Sequence, residues 1–584
     1  MERYYTDERN IQIVISLLKA NGIRKIIASP GTTNVTFIGS VQQDPFFEIY
    51  SSVDERSAAY IACGLAAESG EAVVLSCTGA TASRNYYPGL TEAFYRKLPV
   101  LAITSHQGTD RIGHLKAQNI DRRQLPHDIA CVSVDIPLVK DLRDERYSEI
   151  EANKAMTALF RHGGGPAHIN LHTGYSKDFS VRELPSCRHI KYYDAFASLP
   201  ELPTGNIGVF IGSHRRFTEE ETAALDAFCA EHDAVVFCDH TSGYYGKYRV
   251  SCAVLFTQTY YSAKVPSISL LIHIGEVSGD YTLSKLKPSA IWRVCADGEI
   301  RDTYGKLTAV FEMPASHFFS KYTIGSGDVK KSLADAYRAE IEKVRQAIPE
   351  LELSNVWLAQ QLAPRIPQGS RVHLGILNTL RTWNFFDFPE GVEGYSNVGG
   401  FGIDGILSAL VGASLVDARR LYFGILGDLS FFYDMNAAGN RHVGNNVRIL
   451  LVNNGKGAEF RMYNHPASAF GEGAEPYMAA AGHYGKKSPE LVRHYAESLG
   501  YEYFSASSKE EFLKIKDRFL CPDITDRPML LEVFTDSAIE SEMLKTVNMA
   551  IGNIQGKTWR AVADTVKKII GEERVAKLKK QMGR

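Results

Sequence analysis

Short apolar runs alternate along the chain with longer stretches in which apolar residues recur every three or four positions. The runs are KIIASP (25–30), AVVLSC (72–77), PVLAIT (99–104), GVFIGS (208–213), AVVFCD (234–239), SLLIHIG (269–275), RVHLGI (371–376), LYFGIL (421–426), RILLVN (448–453) and MLLEVF (529–534). Their continuous apolarity is typical of buried strands in a parallel sheet that is covered on both faces. Helical spacing recurs between them, for example in 9–22 and in 55–70, where Gly70 would end the helix. The pattern predicts an α/β fold with doubly wound, mainly parallel sheets.

A chain of 584 residues is too long for one hydrophobic core. Segment 176–205 contains prolines and lacks periodicity, and the segment from Glu312 to Pro349 reads as a loop followed by a charged helix at 328–347. Both segments are predicted linkers. The expected domains are residues 1–190, 191–345 and 346–584. The last one is expected to end in a basic amphipathic helix at 558–582.

Composition narrows the functional classes. A formal net charge of −2 gives no reason to expect a nucleic-acid partner. No apolar run reaches about 18 residues, so no membrane span is expected. The nine cysteines are scattered without a C-x-x-C pair, which argues against a disulfide framework or a zinc site. The charged first residues lack a hydrophobic signal core, so a cytoplasmic location is expected.

Two predicted strands end in small polar residues. LYFGIL is followed by Gly427-Asp428, and the strand ending at Asn453 is followed by Asn454. Their spacing leaves room for one crossover helix, so the two strands can be neighbours whose carboxyl ends share one edge of a sheet. Carboxylate and amide oxygens suit Mg²⁺, and a helix beginning near Leu429 and Ser430 would offer N–H groups to a diphosphate. The alternative is a strand-end turn beside an asparagine-glycine turn.

A glycine-rich motif nearby, GFGIDG (400–405), fits G-x-G-x-x-G. That fingerprint should follow a buried strand, and the preceding residues EGVEGYSNVG do not read as one. We therefore assign no dinucleotide site here.

The N-terminal part of the chain carries further candidate ligand loops. SPGTTN (29–34) and CTGATASRNYYPGL (77–90) each follow a predicted strand and contain glycine, which permits close approach of a ligand. Asp54 and Glu55 open a predicted helix. Acids in a first turn commonly only complement the helix dipole.

Together these motifs resemble the thiamine diphosphate-dependent superfamily of pyruvate decarboxylase and acetohydroxyacid synthase. The similar segments cover most of residues 10–130 and 370–465. Within that superfamily the chain resembles the menaquinone-pathway SEPHCHC synthase branch through SPG (29–31), DER (54–56), YSN (395–397), GIDG (402–405), GDLSF (427–431) and VNN (452–454). The resemblance implies a pyrimidine-binding, a middle and a diphosphate-binding domain.

The resemblance also implies site roles. The Asp428 and Asn454 side chains and the Lys456 carbonyl would hold Mg²⁺, which bridges the cofactor's diphosphate. Ile403 would wedge the cofactor into its bent form, and Glu55 would hydrogen-bond pyrimidine N1′ and so promote loss of the C2 proton. The other implied cofactor contacts are Asn378, Thr379, Gly402, Gly427, Leu429 and Ser430. Gln118 and His106 are the other candidate catalytic residues, although a single His106 is also typical of a structural strand end.

The chain departs from the SEPHCHC synthase branch at its substrate arginines. Thr33 and Val398 stand where that branch has arginine, and a third arginine aligns with Trp383, close to Arg381. These arginines would grip substrate carboxylates. We therefore expect a less anionic, more hydroxylated substrate, such as a sugar or a small aldehyde. The expected pocket residues are Thr33, His106, Gln118, Asn378, Thr379, Arg381 and Val398.

The resulting prediction is an enzyme that uses Mg²⁺ and thiamine diphosphate to decarboxylate a 2-oxo acid and to transfer the acyl anion to a carbonyl or alkene acceptor. A simple decarboxylase that releases an aldehyde is one alternative, and a non-catalytic cofactor-binding subunit is another. A homodimer or homotetramer is implied, because in the superfamily the pyrimidine and diphosphate domains of different subunits meet at the active site. The middle domain resembles one that binds FAD in acetohydroxyacid synthases, but no motif here requires FAD and none is predicted.

Overall fold

The computed structural model describes residues 4–280, 282–325, 331–483 and 487–552. The predicted C-terminal helix at 558–582 lies outside these residues. The chain divides into two compact units, of which the first comprises Met1–Glu201 and Ala290–Pro314 and the second comprises Leu202–Ser289 and Ala315–Arg584. The division into three domains stays a prediction.

The structure alternates strands and helices throughout. The strands are β1 (Lys25–Ala28), β2 (Glu48–Ser51), β3 (Val73–Cys77), β4 (Val100–His106), β5 (Val132–Ile136), β6 (Ala167–His172), β7 (Lys191–Asp194), β8 (Ile207–Ile211), β9 (Val235–Cys238), β10 (Arg249–Val250), β11 (Leu270–Ile274), β12 (Ala290–Cys295), β13 (Leu307–Glu312), β14 (Arg371–Leu374), β15 (Glu393–Tyr395), β16 (Tyr422–Gly427), β17 (Val447–Asn453), β18 (Glu502–Ala506) and β19 (Met529–Phe534). The α-helices are α1 (Arg9–Ala20), α2 (Val35–Val41), α3 (Glu55–Ser69), α4 (Thr81–Asn85), α5 (Tyr87–Tyr95), α6 (Leu142–Ala158), α7 (Glu219–His232), α8 (Ala253–Phe256), α9 (Ala315–Lys321), α10 (Ser332–Gln346), α11 (Asn355–Leu362), α12 (Asn378–Trp383), α13 (Ile406–Ser414), α14 (Asp428–Asp434), α15 (Leu491–Ser498), α16 (Lys509–Phe519) and α17 (Ser537–Asn548).

The first unit contains a parallel sheet with the order β2-β1-β3-β4-β6-β5. Successive strand residues face opposite sides, so Ile26 and Val74 pack in a core with α1 and α6, while Ile27 and Val73 pack in a second core with α3 and α5. Both faces of this sheet are therefore covered. The same unit contains β12, β13 and β7, which pair in parallel in that order.

The second unit contains a parallel sheet with the order β15-β14-β16-β17-β19-β18 and a parallel run β10-β9-β8-β11. A core forms where Leu410 of α13 packs with Leu426 and Leu451 of the sheet. β16 and β17 are neighbours with Gly427 opposite Val452, so their carboxyl ends meet at one edge, as predicted from the sequence.

The α/β class with mainly parallel sheets is confirmed. Each apolar run predicted as a strand corresponds to one, and the helices predicted at 9–22 and 55–70 are α1 and α3, the second ending at Gly70 with φ +70°. The segment 176–205 is not a plain linker, because it contains β7, whose sequence KYYD is too polar and too exposed to be recognised from apolar continuity. β12 was missed because Arg293, which is buried, interrupts its apolar run.

Among the described helices, none combines the length and the apolarity that a membrane span requires.

Candidate functional site

A cavity of about 120 Å³ opens in the second unit at the carboxyl ends of β14, β16 and β17. Residues from several separate parts of the chain line it, in part because parallel strands end at the same edge of the sheet. The predicted site residues that line it are Asn378, Thr379, Ile403, Gly427, Asp428, Leu429, Ser430, Asn454 and Lys456.

Asp428 is the first residue of α14 and is only 3% exposed. Burial raises the pKa of its carboxyl to about 7, although hydrogen bonds from the Leu429 and Gly455 main-chain N–H groups act in the opposite direction. Within the described part of the chain, no basic side chain forms an ion pair with Asp428. A cation bound beside this carboxyl would compensate the cost of ionising it.

The two asparagines that follow β17 have different surroundings. The Asn453 amide donates to Glu532 at 2.6 Å, and its oxygen accepts from the Gly455 N–H at 3.1 Å, which shapes the turn. The Asn454 Oδ1 is buried and has no hydrogen-bond partner among the described residues. An unpaired amide oxygen beside a buried carboxyl is a donor set that fits Mg²⁺.

Ile403 is held in place from the start of α14. The Ser430 hydroxyl donates to the Ile403 carbonyl at 2.5 Å, and both residues line the cavity. The loop that carries Ile403 is thereby tied to the helix that carries Asp428, so the predicted wedge residue and the predicted metal ligand are positioned together.

Two acidic residues of the cavity were not singled out from the sequence. Glu540, on α17, is 5% exposed and accepts hydrogen bonds from the Asn355 N–H at 2.9 Å and the Thr535 hydroxyl at 2.7 Å. Burial raises the pKa of Glu540 to about 7. No local motif marks it, because α17 reaches the cavity only through tertiary packing.

Glu459 is the second of these acids and is paired rather than isolated. Its Oε1 accepts from Arg381 at 2.7 Å. With its NH₂ group facing the carboxylate, Asn378 donates to Glu459 Oε2 at 2.7 Å and accepts from the Glu459 N–H at 3.1 Å. The sequence signal that could have found Glu459 is its place in the loop directly after the VNN motif.

Three predicted residues of the second unit do not line this cavity. Gly402 and the buried Val398 line a neighbouring one, in which Val398 packs near Gly279. Arg381 lines a different cavity, which is described below as the second cavity. The predicted pocket of the second unit is thus distributed over adjacent cavities.

In the first unit, the two acids at the start of α3 have different tasks. Asp54 is the N-cap and accepts from the Ser57 N–H at 3.1 Å and the Ser57 hydroxyl at 2.6 Å. Glu55 makes no such cap bond. Burial raises the pKa of the fully buried Tyr86, and the nearby Cys77 thiol and Glu55 carboxylate add to that rise. The capping explanation therefore applies to Asp54 and leaves Glu55 for another task.

Thr33 is buried at the carboxyl edge of the same sheet. Its hydroxyl donates to the Ser105 carbonyl at 2.9 Å and lies 2.6 Å from the Thr78 hydroxyl. The side chain that replaces a substrate arginine in the resemblance is thus engaged in linking three strand-end loops.

His106 is not an isolated histidine. It ends β4 in register with His172 of β6, and its Nε2 lies 2.7 Å from the Asn170 amide. Asp135 accepts from the same amide and lies 2.9 Å from His172 Nε2. Burial lowers the pKa of His106; hydrogen bonds from His106 and His172 hold the pKa of Asp135 low despite burial.

The fourth predicted site residue of the first unit is Gln118. It has a left-handed backbone with φ +63° and an exposed side chain in the segment after β4. Its catalytic role stays a prediction.

Comparison with known proteins connects these observations. Residues 10–125, which contain Thr33, Glu55 and His106, match the family described as the thiamine pyrophosphate enzyme N-terminal TPP-binding domain. This part of the chain is therefore similar to the cofactor-binding domain of thiamine diphosphate-dependent enzymes. The matched residues lie within 1–190, where the pyrimidine-binding domain is expected, and that domain assignment stays a prediction.

Similarity to curated relatives extends over nearly the whole chain. The chain is 28% identical to 2-succinyl-5-enolpyruvyl-6-hydroxy-3-cyclohexene-1-carboxylate synthase of Bacteroides thetaiotaomicron over 93% of this chain and 98% of that protein. It is 29% identical to the synthase of the same name from Phocaeicola vulgatus over the same shares. The identically named protein of Desulfotalea psychrophila is 27% identical over 88% of this chain and 96% of its own length.

Proposed function

We propose that the chain is a Mg²⁺- and thiamine diphosphate-dependent carboligase that decarboxylates a 2-oxo acid and transfers the acyl anion to a carbonyl or alkene acceptor. Two groups in one cavity carry the proposal, in a chain part of which matches the cofactor-binding family. The buried Asp428 carboxyl has no ion-pair partner, and Asn454 Oδ1 has no hydrogen-bond partner, among the described residues.

The residues divide the proposed work between them. Asp428, Asn454 and the Lys456 carbonyl would hold Mg²⁺, and the metal would hold the diphosphate. When bound, thiamine diphosphate supplies the electron sink that decarboxylation needs. Glu55 would hold a proton at pyrimidine N1′, since Asp54 already fills the capping role. The buried wall around Asp428 excludes water, which strengthens each electrostatic contact inside the cavity.

A panel assay tests the reaction. The purified protein is incubated with thiamine diphosphate, Mg²⁺ and a series of 2-oxo acids, with and without aldehyde acceptors. We expect CO₂ release and a coupled product that forms only with an acceptor. Free aldehyde without an acceptor would instead indicate the simple decarboxylase, and no CO₂ from any acid would favour the non-catalytic subunit.

A second assay tests the substrate class. Because Thr33 is committed to the Ser105 carbonyl and Val398 is apolar and buried, neither can grip a carboxylate as an arginine does. We therefore expect no SEPHCHC from 2-oxoglutarate and isochorismate, measured by chromatography and mass spectrometry. Robust turnover would show that other groups hold the carboxylates.

The proposal includes a homodimer or homotetramer. α3 and α5 of the first unit expose large apolar side chains, among them Tyr60 and Ile61 at 49% and Tyr95 at 69%. A face of this kind is typical of a subunit contact. Ile61→Glu should lower the mass measured by light scattering to that of one chain, whereas Leu513→Glu, at a similarly exposed position of α16, should not. An oligomer that survives the Ile61 substitution would place the contact elsewhere.

A further inference from the structure

A second cavity in the second unit adjoins the candidate cofactor cavity. It has a volume of about 210 Å³, and it shares Asn378, Glu459 and Met462 with the first cavity. These three residues form part of the wall of both spaces. A molecule in the second cavity would therefore lie next to whatever occupies the first.

One side-chain amide of this cavity, that of Asn548, has a hydrogen-bond partner for its NH₂ group but none for its oxygen among the described residues. Asn548 is 5% exposed, and its NH₂ group donates to the Tyr463 hydroxyl at 3.0 Å. Its Oδ1 is buried and accepts no hydrogen bond from the described residues. A buried acceptor of this kind is costly unless something donates to it.

Asp280 supplies a second acceptor. It is 7% exposed and accepts from the Thr282 N–H at 2.8 Å. Burial raises the pKa of its carboxyl to about 6. The arginine that lines the same cavity, Arg381, is paired with Glu459 at 2.7 Å and also acts to lower the pKa of Asp280, so two acids share one cation.

The charges of the side chains that line the second cavity indicate which kind of ligand it can bind. Arg381 and Glu459 neutralise each other, and Asp280 adds a negative charge when it is ionised. Hydroxyl groups of a ligand could donate to Asp280 and to Asn548 Oδ1, while Phe385 and Leu544 offer apolar wall for its carbon atoms. A ligand with a carboxylate would meet repulsion from Asp280.

We propose that this cavity is the acceptor pocket and that it binds a small hydroxylated aldehyde without a carboxylate. The inference rests on the proposed function and names the acceptor for it. In the reaction, the bond between the 2-oxo acid's carbonyl carbon and its carboxylate breaks, CO₂ leaves, and the electron pair stays on the carbonyl carbon. That carbon bonds to the aldehyde carbon, and the aldehyde oxygen takes one proton from solvent, which gives a hydroxy ketone.

The test compares three aldehydes on the protein loaded with thiamine diphosphate and Mg²⁺. D-glyceraldehyde carries hydroxyls, propanal carries none, and succinic semialdehyde carries a carboxylate. Ligand-observed NMR titration should show D-glyceraldehyde binding about tenfold more tightly than either of the others, as expected for added hydrogen bonds to a charged group. Equal affinities for D-glyceraldehyde and propanal would overturn the proposal.

Substitution of Asp280 sharpens the test. Asp280→Asn removes the charge, so binding of D-glyceraldehyde should weaken about tenfold while binding of succinic semialdehyde becomes tighter. A damaged fold would weaken both, so the opposite changes are specific to the pocket. Asp335→Asn, at an exposed position of α10, is the matched control and should change neither affinity. An unaltered preference in Asp280→Asn would exclude Asp280 from the site.

Measuring CO₂ release and product formation with the same aldehydes distinguishes a failure of this inference from a failure of the proposed function. If CO₂ is released from a 2-oxo acid and D-glyceraldehyde yields a hydroxy ketone while propanal yields less, both proposals are supported. If CO₂ is released but the Asp280 substitution leaves acceptor preference unaltered, only the acceptor pocket fails. If no 2-oxo acid yields CO₂, the proposed function and the acceptor role fail together.

Discussion

The carboxyl edges of the two six-stranded sheets both carry polar side chains, but the side chains differ in how far they are paired. In the first unit, Thr33 is bonded to neighbouring loops, and His106 sits in a cluster with Asp135 and His172. In the second unit, the Asp428 carboxyl is buried without a cation, and Asn454 Oδ1 lacks a partner among the described residues. The named side chains of the first edge are thus paired with one another, whereas Asp428 and Asn454 of the second edge are not.

Glu55 is the exception in the first unit. Its neighbour Asp54 performs the capping, and no hydrogen bond to the Glu55 carboxylate occurs within the described residues. We therefore propose that each edge retains an acid that serves the reaction. The following experiments either separate the roles of these acids or show that the contrast is unfounded.

The largest effect is expected from Glu55→Gln. Glutamine keeps the size of the side chain but cannot share a proton with pyrimidine N1′ as a carboxylate does. Exchange of the cofactor's C2 proton for deuterium should slow by about 10²–10⁴-fold, the usual contribution of general acid–base catalysis, while thiamine diphosphate still binds. Quenched NMR measures the exchange, and calorimetry measures the binding.

Asp54→Asn is the matched control, because asparagine also caps helices well. It should leave the exchange rate close to that of the wild type. If Glu55→Gln exchanged as fast as the wild type, Glu55 would be no more than an acid at a helix start.

The next largest effect is expected from Asp428→Ala. The substitution removes the charged ligand of the proposed metal, so Mg²⁺-dependent binding of thiamine diphosphate should weaken by at least about 100-fold. Calorimetry with both components measures it, and Asp335→Ala provides an exposed acid of the same unit for comparison. Undiminished affinity would refute the metal assignment.

The smallest effect concerns the pH dependence of stability without cofactor or metal. Burial raises the pKa of Asp428 from 3.8 to about 7, so the folded state holds more protons than the unfolded state between these values. The free energy of unfolding should therefore fall as pH rises from about 4 to about 7, and this contribution should be fully lost above that range. Asp428→Asn should reduce that slope by at most about 1.4 kcal/mol per pH unit.

Urea unfolding of wild type and Asp428→Asn from pH 5 to pH 8 measures the two slopes. The other titrating groups are common to both proteins and cancel in the difference. Parallel curves would mean that Asp428 is already ionised in the unliganded protein, and the contrast between the two edges would weaken.

The local pattern of apolar and polar residues was sufficient to predict the central strands whose carboxyl ends form the two edges. Continuous apolar runs that end in polar residues marked β16 and β17, and parallel strands must end at one edge, so Asp428 and Asn454 were expected to meet before their positions were known. The start of α3 at Glu55 was predicted likewise, whereas the catalytic role of Glu55 came from the family resemblance and stays a prediction. The structural predictions succeeded because strand burial, helix starts and parallel pairing depend on neighbouring residues.

The sequence by itself thus determined the α/β class, the strands of both edges and the acids that stand on them. Only the tertiary structure decided which polar groups stay unpaired. Asn453 and Asn454 are adjacent and identical, yet Asn453 is bonded to Glu532 of β19, while Asn454 Oδ1 has no hydrogen-bond partner among the described residues. Likewise, Glu540 reaches the cofactor cavity from a distant helix. Such contacts depend on sheet register and on the packing of segments far apart in the chain, and neither is encoded in local periodicity.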